Sequence, residues 1–307
     1  MDEIIATENL KKYYRKLKAV DGINLSVKKG EIYGFLGLNG AGKTTTIRML
    51  LGLVRPTSGS AYLKGTRVDD VKKDLWNAVG YLVEIPYSYP DLTVRENLEI
   101  IRRLRLINSS DAVNSVIEQL HLAQYADIKV KNLSFGNAQR LGIAKAILHK
   151  PEILILDEPA NGLDPAGIVE IREMLIDLAL NRGVTIFISS HILGEISKFA
   201  TRIGIIHEGY IMQESDIHHL DRLRKRSLHV NTPDNARSKA VLKNEGFTVD
   251  TTDTGYLNIT GRDTLTDPAR VNTLLVHAGL SPNFLKVEEE DLESYFLRLI
   301  GEGGGAI

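Results

Sequence analysis

The sequence predicts an α/β fold with a largely parallel sheet covered on both faces, followed by a second, small α+β module. Three observations carry this expectation. To about residue 215, short Ile/Leu/Val-rich runs of strand length alternate with segments of helical periodicity. A glycine-rich turn stands between one such run and the helix that follows it. After "IHHLDRLRKRS" the pattern restarts in a different order. At 307 residues the chain has room for two ordinary domains, each able to bury a core of its own.

The strand-like runs are "EIYGFLG" (31–37), "VGYLVE" (79–84), "EILILDE" (152–158), "VTIFISS" (184–190) and "IGIIHEG" (203–209); helical segments include 43–51, 136–149 and 168–181. In "VGYLVEIP", Val79, Tyr81 and Val83 alternate around Gly80 and Leu82, and Pro86 ends the pattern. Read alone, Glu84 at the mouth of that run is a surface carboxylate meeting water. From Val94 to about Lys131 the strand signal is weak, which predicts a helical insertion at about 94–140. These elements make up an α/β domain over 1–220.

The small domain is expected over 221–300. "SLHVNT" reads as a strand, "DNARSKAVLKNEG" as a helix, "FTVDTT" and "YLNIT" as a hairpin, "DPARVNTLLVHAGL" as a helix and "FLKVEE" as a strand. That β-α-β-β-α-β order is the split βαβ, ferredoxin-like pattern. A last helix, "EDLESYFLRLI", places Leu292, Tyr295, Phe296 and Leu299 on one face. "GEGGGAI" (301–307) reads as a flexible tail.

Charge and composition narrow the function classes. Lys+Arg is 38 and Asp+Glu 39, so no global basic field draws the chain to nucleic acid or anionic lipid, and any such contact is local. With no cysteine, disulfides, thiolate catalysis and Cys-ligated metals are excluded, in keeping with a reducing compartment. "MDEIIATENLKK" has acidic residues where a secretory signal needs positive charge, so export of the chain is not expected. No window approaches the ~20 apolar residues of a membrane-spanning helix. His218 and His219 are adjacent rather than four apart, and His207 and His229 stand alone, so none is assigned to a metal. "RLRKR" (222–226) reads as a solvated boundary helix.

The glycine-rich turn is "GLNGAGKTT", which fits G-x-x-x-x-G-K-[ST] between a strand and a helix. Gly37, Leu38, Asn39, Gly40, Ala41 and Gly42 let successive backbone N–H groups face an anion, and the helix N-terminus adds partial positive charge. Lys43 would reach the β- and γ-phosphates; Thr44, beside Thr45, would offer its hydroxyl to Mg²⁺. "ILILDEP" is the complement: Asp157 for the Mg²⁺ sphere and Glu158 for the attacking water. Together they predict a P-loop nucleoside triphosphatase.

Upstream of that acidic strand, "LSFGNAQRLGIAKAILHKPEILILDEP" resembles the nucleotide-binding subunits of ABC proteins, whose Leu-Ser-Gly-Gly-Gln signature opens a helix leading to it. The resemblance runs from about Ile4 to Glu214. Leu133, Ser134 and Gly136 match; Phe135 and Asn137 depart; Gln139 and Arg140 resume the pattern. Taken alone, "LSFGNAQR" is equally a Ser-capped helix. The resemblance implies that Ser134, Phe135, Gly136 and Asn137 face the nucleotide of a second copy, which makes ATP the glue of a dimer. It further implies that Tyr14 stacks on adenine, that Asp164 of "NGLDP" lies near the partner's nucleotide, and that His191 contacts the γ-phosphate. An ordinary surface aromatic remains open for Tyr13 or Tyr14.

The resemblance implies a glutamine at position 84, and here the chain has Glu84 after Val83. With "LTVRENL", "SSHILGEI" and "LESYFLRLIG", this resembles the branch that includes bacitracin-resistance and lantibiotic-immunity or export ATPases. That branch implies an ATP-hydrolysing subunit at the cytoplasmic face of the membrane, working as a dimer with a separate multi-span permease. The cargo would be a peptide antibiotic or other drug, chosen by permease contacts that this chain does not make. Thr44, Asp157 and Glu84 would approach Mg²⁺, and Glu158, His191 and Glu84 would serve hydrolysis. Two other classes stand beside it. A DNA-repair or translation-type ABC ATPase would carry a long coiled-coil insertion or two cassettes, whereas Thr44 and Leu133 bracket a short stretch here. A regulatory ATP-binding module with weak hydrolysis stays open because of Phe135 and Asn137. The C-terminal module is expected to brace the ATPase domain and support the dimer.

Overall fold

The computed structural model describes residues 3–70, 73–84, 87–252, 254–260 and 268–303. The chain forms two compact units, Met1–Ile217 and His218–Ile307.

The first unit opens with an antiparallel sheet absent from the sequence expectations. Strands β1 (Glu3–Tyr14) and β2 (Leu17–Lys28) form a hairpin closed at Tyr14 and Leu17, and β4 (Ser58–Leu63) and β5 (Thr66–Arg67) complete the order β2-β1-β4-β5. Between them in the chain come β3 (Ile32–Leu36) and α1 (Lys43–Leu50). The remaining elements are β6 (Val79–Leu82), α2 (Val94–Leu104), α3 (Ala112–Gln119), α4 (Phe135–Ile147), β7 (Ile153–Asp157), α5 (Pro165–Arg182), β8 (Thr185–Ser190), α6 (Leu193–Ile196), β9 (Arg202–His207) and β10 (Tyr210–Asp216).

The second sheet has the order β10-β9-β3-β8-β7-β6, parallel except for β10. Strands β3, β7 and β8 are buried at every position, as parallel strands covered on both faces must be. Phe187 on β8 stacks on Tyr33 at 5.4 Å and tilts against Phe35 at 5.3 Å. One buried cluster joins both sheets to α1 through Ile5, Leu10, Ile23, Phe35, Ile47, Leu50, Ile155 and Phe187. The phosphate-loop helix is thereby anchored in the core through Ile47 and Leu50.

The expected run 79–84 ends at Leu82, and Tyr81 is exposed (46 %). Gly80 is buried instead: a Cβ there would lie 2.1 Å from the Ala146 carbonyl oxygen, so only glycine lets α4 sit this close to β6. In the helical insertion, α2 starts at a capping box in which the Thr93 hydroxyl accepts from the Glu96 N–H and the Glu96 carboxylate accepts from the Thr93 N–H. The expected end of the insertion near 140 falls inside α4.

The second unit contains α7 (Ile217–Leu223), which begins at the boundary, then β11 (Arg226–Asn231), α8 (Asn235–Asn244), β12 (Thr248–Thr251), β13 (Leu257–Thr260), α9 (Pro268–His277), β14 (Phe284–Glu289) and α10 (Leu292–Gly303). After α7 this is the β-α-β-β-α-β element order, in an antiparallel sheet of order β12-β13-β11-β14. Leu228, Val230, Leu242, Ile259, Val271 and Leu275 form its core. Leu292, Tyr295 and Phe296 are buried on α10, and Leu299 is half-buried. Residues 301–303, expected in the tail, continue α10; residues 304–307 lie outside the described residues. Among the described residues, no helix is long and apolar enough to cross a membrane.

Candidate active site

Buried strand β3 delivers the chain into Gly37–Gly42 at the carboxyl edge of the parallel sheet, and α1 starts directly after it. Sterics explain the glycines. A Cβ on Gly37 would sit 2.4 Å from the Ile206 carbonyl oxygen, and one on Gly42 would sit 2.5 Å from that of Ala19, with φ at +112°. The loop is thus wedged against β9 and β2. Lys43 is buried, and its Nζ donates to the carbonyls of Gly37 (2.6 Å) and Leu38 (3.3 Å) while lying 3.1 Å from Glu158 Oε1.

The carboxylates come from the end of β7. Asp157 is buried; its Oδ2 accepts from the Thr44 hydroxyl at 2.8 Å and its Oδ1 from the Ser189 hydroxyl at 2.6 Å. Glu158 follows with a left-handed backbone, φ +51°, an uncommon conformation for a residue with a side chain. Its N–H donates to the Ser189 hydroxyl (3.1 Å) and carbonyl (3.2 Å). Its Oε2 accepts from His191 Nδ1 at 2.6 Å. Lys43, Glu158 and His191 therefore form one continuous row of ammonium, carboxylate and imidazole. Ser189, which holds both acidic residues, was not singled out in the sequence; its signal is the hydroxyl pair that ends "TIFISS". Gln139 on α4 donates to the Glu158 carbonyl at 3.3 Å.

These groups open into a cleft of ≈ 940 Å³ that includes Tyr14, Leu38, Asn39, Gly40, Gly42, Lys43, Thr44, Thr45, Glu158 and His191. Gly37 and Ala41 are buried and are not among the residues that line it. Tyr14 is exposed (42 %) with Lys12 Nζ 5.1 Å from its ring centroid. Asn161, Lys18, Glu208 and Tyr210 also line the cleft and were not foreseen.

A separate groove of ≈ 500 Å³ gathers Ser134, Phe135, Gly136, Asn137, Gly162 and Asp164. Ser134 caps α4 by accepting from the Asn137 N–H (3.3 Å), and Asp164 caps α5 by accepting from the Gly167 N–H (2.9 Å). Phe135 is half-exposed (52 %) with its ring over Gly162, where a Cβ would meet Phe135 Cδ1 at 2.0 Å.

Glu84 goes elsewhere. It has φ +57°, does not line the cleft, and its Oε1 lies 2.5 Å from Nη2 of Arg48 in the last turn of α1. The expected trio of Thr44, Asp157 and Glu84 is not assembled: Glu84 pairs with the Arg48 guanidinium outside the cleft. Ile85 and Pro86 lie outside the described residues. The remaining pair, Thr44 and Asp157, presents hard oxygen donors. That suits Mg²⁺, which takes one or two protein oxygens and completes its shell with water and phosphate. Among the described residues, no cluster of three His or acidic side chains could hold a metal by itself.

The ABC transporter family model matches residues 20–161, from the strand behind the phosphate loop to just past Glu158. The chain is 43 % identical over 306 residues to the bacitracin transport ATP-binding protein BcrA of Bacillus licheniformis, covering 99 % of both chains. The chain belongs to the ABC transporter ATP-binding proteins. The lantibiotic transport ATP-binding protein SrtF of Streptococcus pyogenes is 38 % identical over 213 residues, 69 % of this chain and 91 % of that one. A solved dimeric structure of a bacterial ABC transporter cassette superposes with a TM-score of 0.64 at 26 % identity, covering 70 % of this chain and 99 % of that chain. The first unit thus has the ABC ATPase fold, and the ABC protein binds and hydrolyses ATP.

Proposed function

We propose that this ABC ATPase is the energy-supplying subunit of an exporter that removes a peptide antibiotic of the bacitracin or lantibiotic kind, at the cytoplasmic face of the membrane. The observation that carries the catalytic reading is Glu158, held between Lys43 and His191 beside the Thr44–Asp157 pair. The cargo class rests on the names of the full-length BcrA relative and of SrtF.

Two copies enclose two ATP molecules. In each cleft the loop amides and Lys43 bind the β- and γ-phosphates, and Tyr14 takes the adenine. Thr44 and Asp157 would hold Mg²⁺, which supplies charge neutralisation at the phosphate oxygens. Glu158 orients and deprotonates the attacking water, while Lys43 and Ser189 fix its direction. His191 uses Nδ1–H to hold Glu158, which leaves Nε2 for the γ-phosphate. The Ser134–Asn137 turn and Asp164 of the partner copy close the site.

The permease docks at a groove of ≈ 360 Å³ between β6, α2 and α4. Tyr81, Tyr87, Tyr89 and Leu104 expose large apolar surface there, beyond what scattered surface residues explain. Lys145 lines it half-buried and donates to the Tyr87 carbonyl (2.9 Å) and the Ser88 hydroxyl (2.6 Å), with Arg105 in the lining and, among the described residues, no carboxylate there. An acidic side chain on a short cytoplasmic segment of the permease complements this groove.

The test has two arms. ATPase rates of the purified chain and of Glu158→Gln are compared, and equal rates defeat the catalytic assignment. The chain is then expressed with a multi-span permease encoded beside it in a bacitracin- and lantibiotic-sensitive host. Unchanged inhibitory concentrations for both peptides defeat the cargo assignment.

A further inference from the structure

We propose that Asp21 is a positioning residue for the nucleoside half of the ATP cleft, and that Tyr210 is a second aromatic wall of that half. This rests on the reading that the Tyr14 side of the cleft takes the base.

Asp21 is buried, and a buried carboxylate needs partners for both oxygens. Oδ1 accepts from the Tyr13 hydroxyl at 2.5 Å, with Lys11 Nζ at 3.4 Å. Oδ2 accepts from the Tyr210 hydroxyl at 2.5 Å and from Lys18 Nζ at 3.0 Å. These donors hold the carboxyl well below the usual carboxylate range, the tyrosine hydroxyls leading. They come from three stretches that are distant in sequence or direction: outgoing strand β1, the start of returning strand β2, and β10.

The backbone continues the linkage. The Asp21 N–H donates to the Gly209 carbonyl at 2.9 Å, and the Gly209 N–H donates to the Ala41 carbonyl at 2.9 Å, inside the phosphate loop. Gly209 has φ +86°, and a Cβ there would lie 3.1 Å from the carbonyl oxygens of both Lys18 and Ala19. One carboxylate thus ties the hairpin that carries Tyr14 to the turn that carries Tyr210, and the adjoining backbone ties both to the phosphate loop.

Packing alone would hold two adjacent hairpins. An ionised carboxylate with four donors, fully satisfied, specifies one geometry where apolar contact alone would tolerate several. Tyr210 shows what that geometry serves. Its ring is exposed (41 %) and lines the cleft, while its hydroxyl is turned onto Asp21. What it offers the cleft is an aromatic surface of fixed orientation, suited to stack against a purine or ribose.

The test compares ATP with inorganic tripolyphosphate, which has the phosphates but no nucleoside. Both are titrated calorimetrically, with Mg²⁺, into the purified full-length chain and into Tyr14→Ala, Asp21→Asn, Tyr210→Phe and Tyr210→Ala. Tyr210→Ala and Asp21→Asn are expected to weaken ATP about tenfold, the scale of one lost base-stacking contact, with tripolyphosphate held within about twofold. Tyr210→Phe keeps the ring and loses only the tether, so its loss is smaller, about threefold, and it serves should Asp21→Asn not fold. In turnover, the variants raise KM for ATP more than they lower kcat. Equal weakening of ATP and tripolyphosphate overturns the proposal, since it marks general damage; so does unchanged ATP affinity in Tyr210→Ala while Tyr14→Ala loses it. Unchanged ATP affinity in Tyr14→Ala overturns the base-site reading as well.

Discussion

Glu158 Oε2 lies 2.6 Å from His191 Nδ1, while the other oxygen of the same carboxylate faces Lys43 Nζ at 3.1 Å. The carboxylate is held from both sides by groups with separate duties toward the γ-phosphate. Glu158→Gln keeps the shape and loses the basic oxygen. ATPase activity is expected to fall by about 10²–10⁴, with ATP binding retained in the titration. His191→Ala frees the carboxylate on one side only and should give a smaller loss of kcat.

Glu84 and Arg48 test whether a broken ion pair or a lost carboxylate matters. The pair is exposed, so Glu84→Gln and Arg48→Ala should each change stability by about 1 kcal/mol or less in urea titration. Glu84→Gln is expected to retain ATP binding and to alter hydrolysis or its coupling to transport. If Arg48→Ala reproduces that change, the pair is the functional unit. Unchanged hydrolysis and transport in Glu84→Gln would return Glu84 to a surface carboxylate.

The Phe135 ring leaves no room above Gly162, whose φ of +71° already disfavours other residues. Gly162→Ala is expected to lower ATPase activity by displacing the signature turn. Adding Phe135→Ala should recover part of the loss and leave only the backbone strain of about 1–2 kcal/mol. A double variant no better than the single one would show that the contact is not what matters.

Burial lowers the Lys145 pKa to about 8. The native chain therefore gives up this proton below the ordinary lysine range. The unfolded chain binds more protons across that window, so this group's contribution makes stability rise from about pH 8 to pH 10.5. Lys145→Met should flatten that part of the stability profile. In competitive acylation at pH 8, Lys145 should react with a larger neutral fraction than exposed lysines, and a bound permease should protect it.

Phe187 is wholly buried between Tyr33 and Phe35. Phe187→Ala is expected to destabilise the first unit by about 3–5 kcal/mol, read as a lower denaturation midpoint. A loss below about 1 kcal/mol would mean that the ring stack collapses to refill the space.

What could be read from the sequence followed how local each signal was. Strands β3, β7 and β8 announce themselves because both faces are buried, and the phosphate loop because a few adjacent residues do the whole task. The antiparallel sheet did not, although Ile23, Leu25 and Val27 alternate as a half-buried strand should; Lys11, Lys12, Lys16 and Lys18 give its hairpin the look of a solvated loop. Asp21 and Tyr210 stand 189 positions apart, so no window could pair them. The same holds for Glu84 and Arg48, separated by 36 positions, and for Ser189, whose two acidic partners end and follow the neighbouring strand.

Gly80 gives β6 a smooth place beneath Ala146, so α4 rests there with bare backbone against backbone. Ser134 stands at the leading end of that helix and Lys145 near its trailing end, about 15–20 Å apart along a rigid axis. One uninterrupted helix joins the two ends. A displacement applied at Lys145, where Tyr87 and Ser88 hold it, would reach Ser134 through that helix, and a Cβ at position 80 would meet the helix at Ala146.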